Sequence, residues 1–224
     1  MHKTGKNHYF AIMTNFIPVF PLAIVVYPGE PLNLHIFEPR YIQMAEECIR
    51  EQKAFGILPV LNGKTSEYGT LVDITEMAKK YKDGTMDIRT RGSRVFRVLE
   101  FIKTIPDKLF SGAIVSYPAN ENITISKSLS ELIISEVSRL YHLLNEESRL
   151  PPEYKEWNAY NIAHKVGLTL EQEYELLCIF NEMQRLEYLR RHLNTMQPII
   201  EELEQLKARI KMNGHFRNLS SPEL

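Results

Sequence analysis

The stretch that decides the fold is "FIPVFPLAIVVYPGEPLNLHIFEPRY", residues 16–41. Pro18, Pro21 and Pro28 cut its apolar run, so it cannot be one helix, and Pro28-Gly29 supplies a turn. "LNLHIF" then reads as a strand in which alternation puts His35 and Phe37 on one side. Glu38 stands at a helix start, where the N-terminal dipole favours a carboxylate, and Pro39 takes a tolerated first-turn position. The helix that follows, "PRYIQMAEECIREQ", places Tyr41, Met44, Ala45, Cys48 and Ile49 on one face. His35, Glu38 and Arg40 therefore read first as a strand-to-helix junction. Their density also admits a hydrolase in which His35 is the base and Glu38 its orienter, although strand alternation weighs against that pairing.

Outward from this junction, short strands and turns continue to about Tyr117. "AFGILPVL" and "GTLVDITEM" are apolar-rich, and "GTMDIRTRG" meets "SRVFRVLEF" at Gly92-Ser93, which reads as the break between two strands. "KDG" at Lys82–Gly84 is read as a tight two-residue hairpin turn. After "YPANEN" the period lengthens to three and four: apolar residues at 129, 132, 133, 137, 140, 141 and 144 form a helix that Pro151-Pro152 should end. Two short helices follow, with Gly167 as a C-terminal cap and Thr169 as an N-cap. A long helix then carries Met183, Leu186, Leu189, Leu193, Met196, Ile200, Leu203, Leu206 and Ile210, and Pro198 should kink it or start a new one. The expected organisation is a tail over 1–15, a β-domain over 16–118, a helical bundle over 119–212 and a second tail over 213–224.

Composition narrows the function. The 224 residues are 44% apolar and 25% charged, a globular mixture in a chain long enough to bury a core. No stretch approaches the roughly 20 apolar residues of a membrane span. Net charge is −1, which gives no global attraction to nucleic acid or anionic lipid. The N-terminal stretch lacks the continuous apolar segment of a signal peptide. Only Cys48 and Cys178 occur, each within a helix pattern and without metal-ligand spacing, so a reducing cytoplasm and buried thiols are expected.

Familiar catalytic patterns are missing. Gly63-Lys64-Thr65 has the tail of a phosphate loop, but the position that needs its first glycine holds Leu58, and a hairpin tip explains these residues better. Ser126-Lys127-Ser128 lies at a helix start, where serine is simply a good cap, so no nucleophile is assigned. The seven histidines show no metal-binding spacing, and neither metal nor cofactor is expected. Arg89, Arg91, Arg94 and Arg97 could form a phosphate-binding patch; the competing reading is salt-bridged strand residues.

The residues Phe20-Pro21-Leu22, Pro28-Gly29 and Leu34–Tyr41, then Phe55-Gly56, Gly69-Thr70, Asp83-Gly84, Gly92, Arg94 and Phe96, together resemble the Lon N-terminal domain, the substrate-binding region of an ATP-dependent protease. The helical half continues the likeness, so the resemblance covers about residues 16–212. It implies an α+β fold: a PUA-like β-barrel with one inserted helix, followed by a helical bundle ending in a long helix. It also implies a non-enzymatic module, expected here as a stand-alone form without ATPase or protease domains, that recognises unfolded or exposed apolar polypeptide. Such a module would act in protein quality control, alongside an ATP-dependent protease or chaperone. His35, Glu38, Arg40 and Arg94 are the expected peptide contacts. The C-terminal apolar stripe is compatible with a homodimer. The alternative is an RNA-binding PUA-like protein that uses the Arg89–Arg97 cluster, against which the near-neutral charge weighs.

Overall fold

The structure, a computed structural model, describes residues 15–120, 127–150 and 157–217, without the side chains of residue 15 and residues 211–217. The chain divides into two compact units between Ala119 and Asn120. Residues 1–14 and 218–224, Ser126 and Pro151-Pro152 lie outside the described residues, and with them nearly all of the expected N-terminal tail, the end of the C-terminal one, the first serine of the expected cap and the proline stop.

The first unit contains β1 (Asn15–Leu22), β2 (Pro31–Ile36), α1 (Pro39–Glu51), β3 (Phe55–Leu61), β4 (Lys64–Thr65), β5 (Tyr68–Lys80), β6 (Met86–Ile102) and β7 (Gly112–Ser116). The strands pair in the order β1-β7-β6-β5-β3-β4, with β2 on β6. β1 also runs parallel to β3, which closes a circuit of pairings through β7, β6 and β5; all other pairs are antiparallel. α1 follows β2 as the junction residues require. Its Tyr41, Met44, Ala45 and Cys48 are buried with Phe20, Ile36, Phe55, Met86 and Ile88. Each such large side chain contributes about 1.5–3 kcal/mol when fully buried. A separate apolar cluster joins Ile17, Val19, Leu58, Leu71, Phe96, Ala113 and Val115.

Two turn readings change. Residues 84–102 contain no break at Gly92-Ser93, because β6 is one continuous strand through both. The register shifts there, from Leu71↔Arg94 to Val72↔Gly92, so Ser93 is the extra residue of a bulge. Glycine is needed at 92 because the turn that leads into β2 crosses it. Gly29 N–H donates to the Gly92 carbonyl at 2.8 Å, Gly92 N–H donates to the Glu30 carbonyl at 2.8 Å, and a Cβ would lie 2.2 Å from the Tyr27 carbonyl oxygen. The "KDG" turn is also longer than two residues. Tyr81 N–H bonds the Thr85 carbonyl and Gly84 N–H bonds that of Tyr81, leaving three residues at the tip with Gly84 at φ +90°. The tight two-residue turn is instead Asn62-Gly63, at φ +50° and +77°, between β3 and β4.

The second unit contains α2 (Lys127–Leu144), a 3₁₀ turn (Glu147–Arg149), α3 (Ala159–Ala163), α4 (Leu170–Leu177) and α5 (Glu182–Arg217). α2 ends well before Pro151. Asn145 adopts φ +55° while its N–H bonds His142 and that of Glu146 bonds Tyr141, so a left-handed cap stops the helix. Its buried stripe is Ile133, Val137, Leu140 and Leu143; the expected Leu132 and Leu144 are half exposed. Thr169 caps α4 in a reciprocal pair with Gln172, and Asn158 does the same for α3 with Asn161. α5 neither stops nor restarts at Pro198 and is helical through residue 217, five residues into the expected tail. Pro198 is exposed and lies almost opposite Ile200 around the helix, so the Asn194 carbonyl that loses its donor faces water. A buried ion pair organises the unit. Arg185, 1% exposed, bonds Glu182 at 2.8 Å, Asn120 at 3.0 Å, the Tyr160 hydroxyl at 3.2 Å and the Ile179 carbonyl at 2.7 Å.

Candidate functional site

The junction brings three of the four expected contacts to one end of α1, but not as an acid–base set. His35 lies opposite Asp87 in the β2–β6 ladder, and its Nδ1 contacts Asp87 Oδ1 at 2.6 Å. The Tyr81 hydroxyl donates to the other carboxylate oxygen at 2.7 Å. These two hydrogen bonds, His35 first and Tyr81 second, hold the Asp87 carboxyl below its usual range. Glu38 caps no backbone N–H; it accepts instead from Arg40 at 2.9 Å, and the Arg40 guanidinium lies 4.5 Å from the Tyr41 ring centroid. Glu38 therefore does not orient His35, as the hydrolase reading required. The ring of Phe37 is 63% exposed and sits 6.1 Å from His35, whose ring also meets that of Tyr81 edge-on at 5.8 Å. The junction thus offers an exposed aromatic surface bordered by paired charges.

Arg94 does not join it. It is seven residues beyond Asp87 on β6, about 23 Å along the strand, and stacks 3.6 Å from the centroid of Tyr117. The other arginines of the cluster are engaged as well. Arg89 pairs with Glu76 at 2.7 Å, Arg97 with Glu67 at 2.5 Å, and Arg91 donates to the Gly29 carbonyl at 2.8 Å. Engaged strand residues, two of the four salt-bridged, describe this cluster better than a free phosphate-binding patch.

Two clefts flank the C-terminal half of α1, and none of the four expected contacts lines either. One, of about 370 Å³, lies between α1 and β5 and is walled by Ile49, Lys53, Ile74 and Met77. The other, of about 230 Å³, is walled by Phe16, Pro18, Ile105 and Phe110. Phe16 and Met77, beside the clefts, are half exposed. Cys48 borders both clefts, yet burial, with Glu47 and Glu51 nearby, pushes its thiol up to about 12, far from the thiolate. No cluster of three metal-ligating side chains occurs among the described residues. No described helix is long and apolar enough to cross a membrane. The sequence contained Phe16 and Met77 but no local signal of their exposure, which depends on what packs beside β1 and β5.

A mixed sheet with α1 laid over it and a separate helical unit define an α+β chain. The chain belongs to the family of the ATP-dependent protease La (LON) substrate-binding domain, whose family model matches residues 17–195. Among solved structures it is similar to a Lon N-terminal domain protein from Xanthomonas campestris, at 27% identity and a TM-score of 0.62, over 79% of this chain and 98% of that one. The N-terminal domain of a Mycobacterium avium complex Lon protease shares the fold at 17% identity and a TM-score of 0.59, over 80% and 98% of the two chains. Sequence relatives include a LON peptidase N-terminal domain and RING finger protein of Schizosaccharomyces pombe, 29% identical over 106 residues. Protein cereblon of Gallus gallus is 26% identical over 128 residues. The matches cover 39% and 55% of this chain but only 21% and 28% of those relatives.

Proposed function

We propose that the chain is a non-catalytic module that captures exposed apolar segments of unfolded polypeptide and serves as an adaptor in cytoplasmic quality control. The observation that carries this reading is membership of a substrate-binding family over residues 17–195. The two apolar clefts beside α1 supply the surface for it. An extended segment of about six residues spans the roughly 20 Å of α1. Its apolar side chains would enter the clefts beside Phe16 and Met77, and its other end would reach Phe37, with His35, Glu38 and Arg40 as polar contacts. Arg94, stacked on Tyr117, has no part in this track. The closed circuit of strand pairings supports treating the first unit as a PUA-like pseudo-barrel. The joining of a LON N-terminal domain to a RING finger in the name of the Schizosaccharomyces pombe relative supports an adaptor role that delivers clients to other machinery, an ATP-dependent protease or chaperone.

The test is a titration against one model protein in two forms, reduced and carboxymethylated or native, read by fluorescence anisotropy. Binding is expected only for the unfolded form. The double variant Phe16→Asp/Met77→Asp, altered at half-exposed positions, should lose about tenfold or more in affinity with its circular dichroism unchanged. Equal, negligible affinity for both forms overturns the reading.

A further inference from the structure

β2 is hydrogen-bonded along one side only. Its six residues pair with Met86–Arg91 of β6 and with no other described strand. Two bonds show which backbone groups are left free. Gly92 N–H donates to the Glu30 carbonyl, so residues 30, 32, 34 and 36 turn their backbone groups toward β6. The Arg89 carbonyl, opposite Asn33, accepts from the Thr75 hydroxyl on β5 and so faces away from β2. Asn33 and His35 therefore each point an N–H and a carbonyl out of the sheet edge, and Pro31 a carbonyl alone. No turn, loop or side chain among the described residues bonds these groups. The two faces of the edge differ. Leu32, Leu34 and Ile36 turn to the core that α1 closes, the first two half-buried, while Pro31, Asn33 and His35 are exposed. Phe37 continues the exposed face past the end of the strand.

We propose that the outer edge of β2 takes up an extended segment of unfolded polypeptide as an added strand. This rests on the reading above for the class of ligand, and adds where the ligand's backbone is held. The clefts beside α1 offer apolar side chains, but the backbone groups of a helix are bonded within it and leave a client's own N–H and carbonyl groups to water. The β2 edge supplies the missing partners. It presents donors and acceptors at the strand repeat of about 3.3 Å per residue, a pattern that another extended backbone meets in full. It is also continuous with the track beside α1, because β2 runs directly into Phe37, where that track ends. A bound strand of about five residues, roughly 17 Å long, covers Pro31 to His35. Its side chains beside Leu32 and Leu34 meet apolar surface, and those between them lie in water with Asn33 and His35. The edge therefore selects alternating apolar and polar residues. Pro31 has no N–H, which limits the edge to the donors of Asn33 and His35 and keeps the contact short and reversible.

Amide exchange followed by NMR on the full chain tests the placement. In the free protein the Leu34 amide, bonded to β6, should exchange slowly and those of Asn33 and His35 fast. A saturating amount of a reduced and carboxymethylated model protein should slow the latter two about tenfold or more. Slowing without that ligand, as the chain's own concentration rises, would mean that a second copy occupies the edge, and overturns the proposal. Asn33→Pro removes an outward donor while leaving the bonds to β6. It should lose about tenfold in affinity for the unfolded protein with unchanged circular dichroism, whereas Asn33→Ala, which keeps the N–H, should bind within about twofold of wild type. A third arm needs no variant. A peptide of about ten alternating valine and lysine residues, N-methylated on every valine or on every lysine, should bind about tenfold more weakly in one form than in the other, because only alternate N–H groups of a bound strand face β2. Equal binding by the two forms, an Asn33→Pro variant as tight as wild type, or unslowed Asn33 and His35 amides while the unfolded protein binds, overturns the edge and leaves the clefts standing. No binding of the unfolded protein to the wild type overturns both.

Discussion

Replacing Arg185 by leucine should destabilise the helical unit selectively. The guanidinium is 1% exposed and donates to Glu182, Asn120, Tyr160 and the Ile179 carbonyl, with its Cζ 4.2 Å from the Tyr160 ring centroid. Its partner Glu182 is 4% exposed and keeps the Ala159 N–H, at 2.8 Å, as a donor once the arginine is gone. Removing one member of a buried pair costs about 3–5 kcal/mol, because the other charge stays out of water. A unit of this size has roughly 5–15 kcal/mol of stability to lose. Trp157, the sole tryptophan, lies just ahead of α3 in the same unit, so its fluorescence reports this unit in a urea titration. With a urea dependence of about 1.5 kcal/mol per molar, the midpoint should fall by roughly 2–3 M. Arg185→Lys keeps the charge but not the planar fork and should lose about 2 kcal/mol. A midpoint shift under about 0.5 M for Arg185→Leu would refute the reasoning.

Gly92→Ala drives a methyl into the Tyr27 carbonyl and strains the two backbone bonds that cross there. The expected loss is about 3 kcal/mol, seen as a thermal midpoint lower by roughly 10–20 °C. Unchanged melting would mean that the crossing segment yields freely. Cys48, buried and with its thiol pushed up to about 12, should resist iodoacetamide at pH 8 in the native protein and react once urea unfolds it, as mass spectrometry can follow. The depressed Asp87 carboxyl contributes stability above the unfolded value of about 3.9 and loses it as pH falls through the lower folded value. The gap in melting temperature between wild type and Asp87→Asn should therefore be open at pH 6 and close once pH falls below the lowered folded value. A gap that persists at pH 2 would show that the carboxylate is not what matters.

Local features were legible because their causes sit within a few residues. Pro39 at the helix start, the Tyr41–Cys48 face of α1, the tip at Asn62-Gly63 and the Thr169 cap each depend on neighbours three or four positions away, and each appears where the residues imply. Gly92 misled for a physical reason. A glycine signals either a turn or a close approach of another backbone, and only the position of Tyr27–Glu30 distinguishes them. Pro198 misled in a similar way, since its cost depends on whether the released carbonyl faces water or protein.

By itself, the sequence determined the division into a strand-rich and a helical half, the junction at Glu38-Pro39 and the family, because alternation, period and turn chemistry are short-range properties written along the chain. Tertiary structure alone decided that His35 answers to Asp87, 52 residues away, while Glu38 turns to Arg40. It likewise decided that Phe16 and Met77 border open clefts, and that α2 covers Ile200 of α5 while Ile199, Leu203, Leu206 and Ile210 stay exposed. Burial of a side chain is a property of what arrives next to it, and for these residues the neighbour comes from a distant part of the chain.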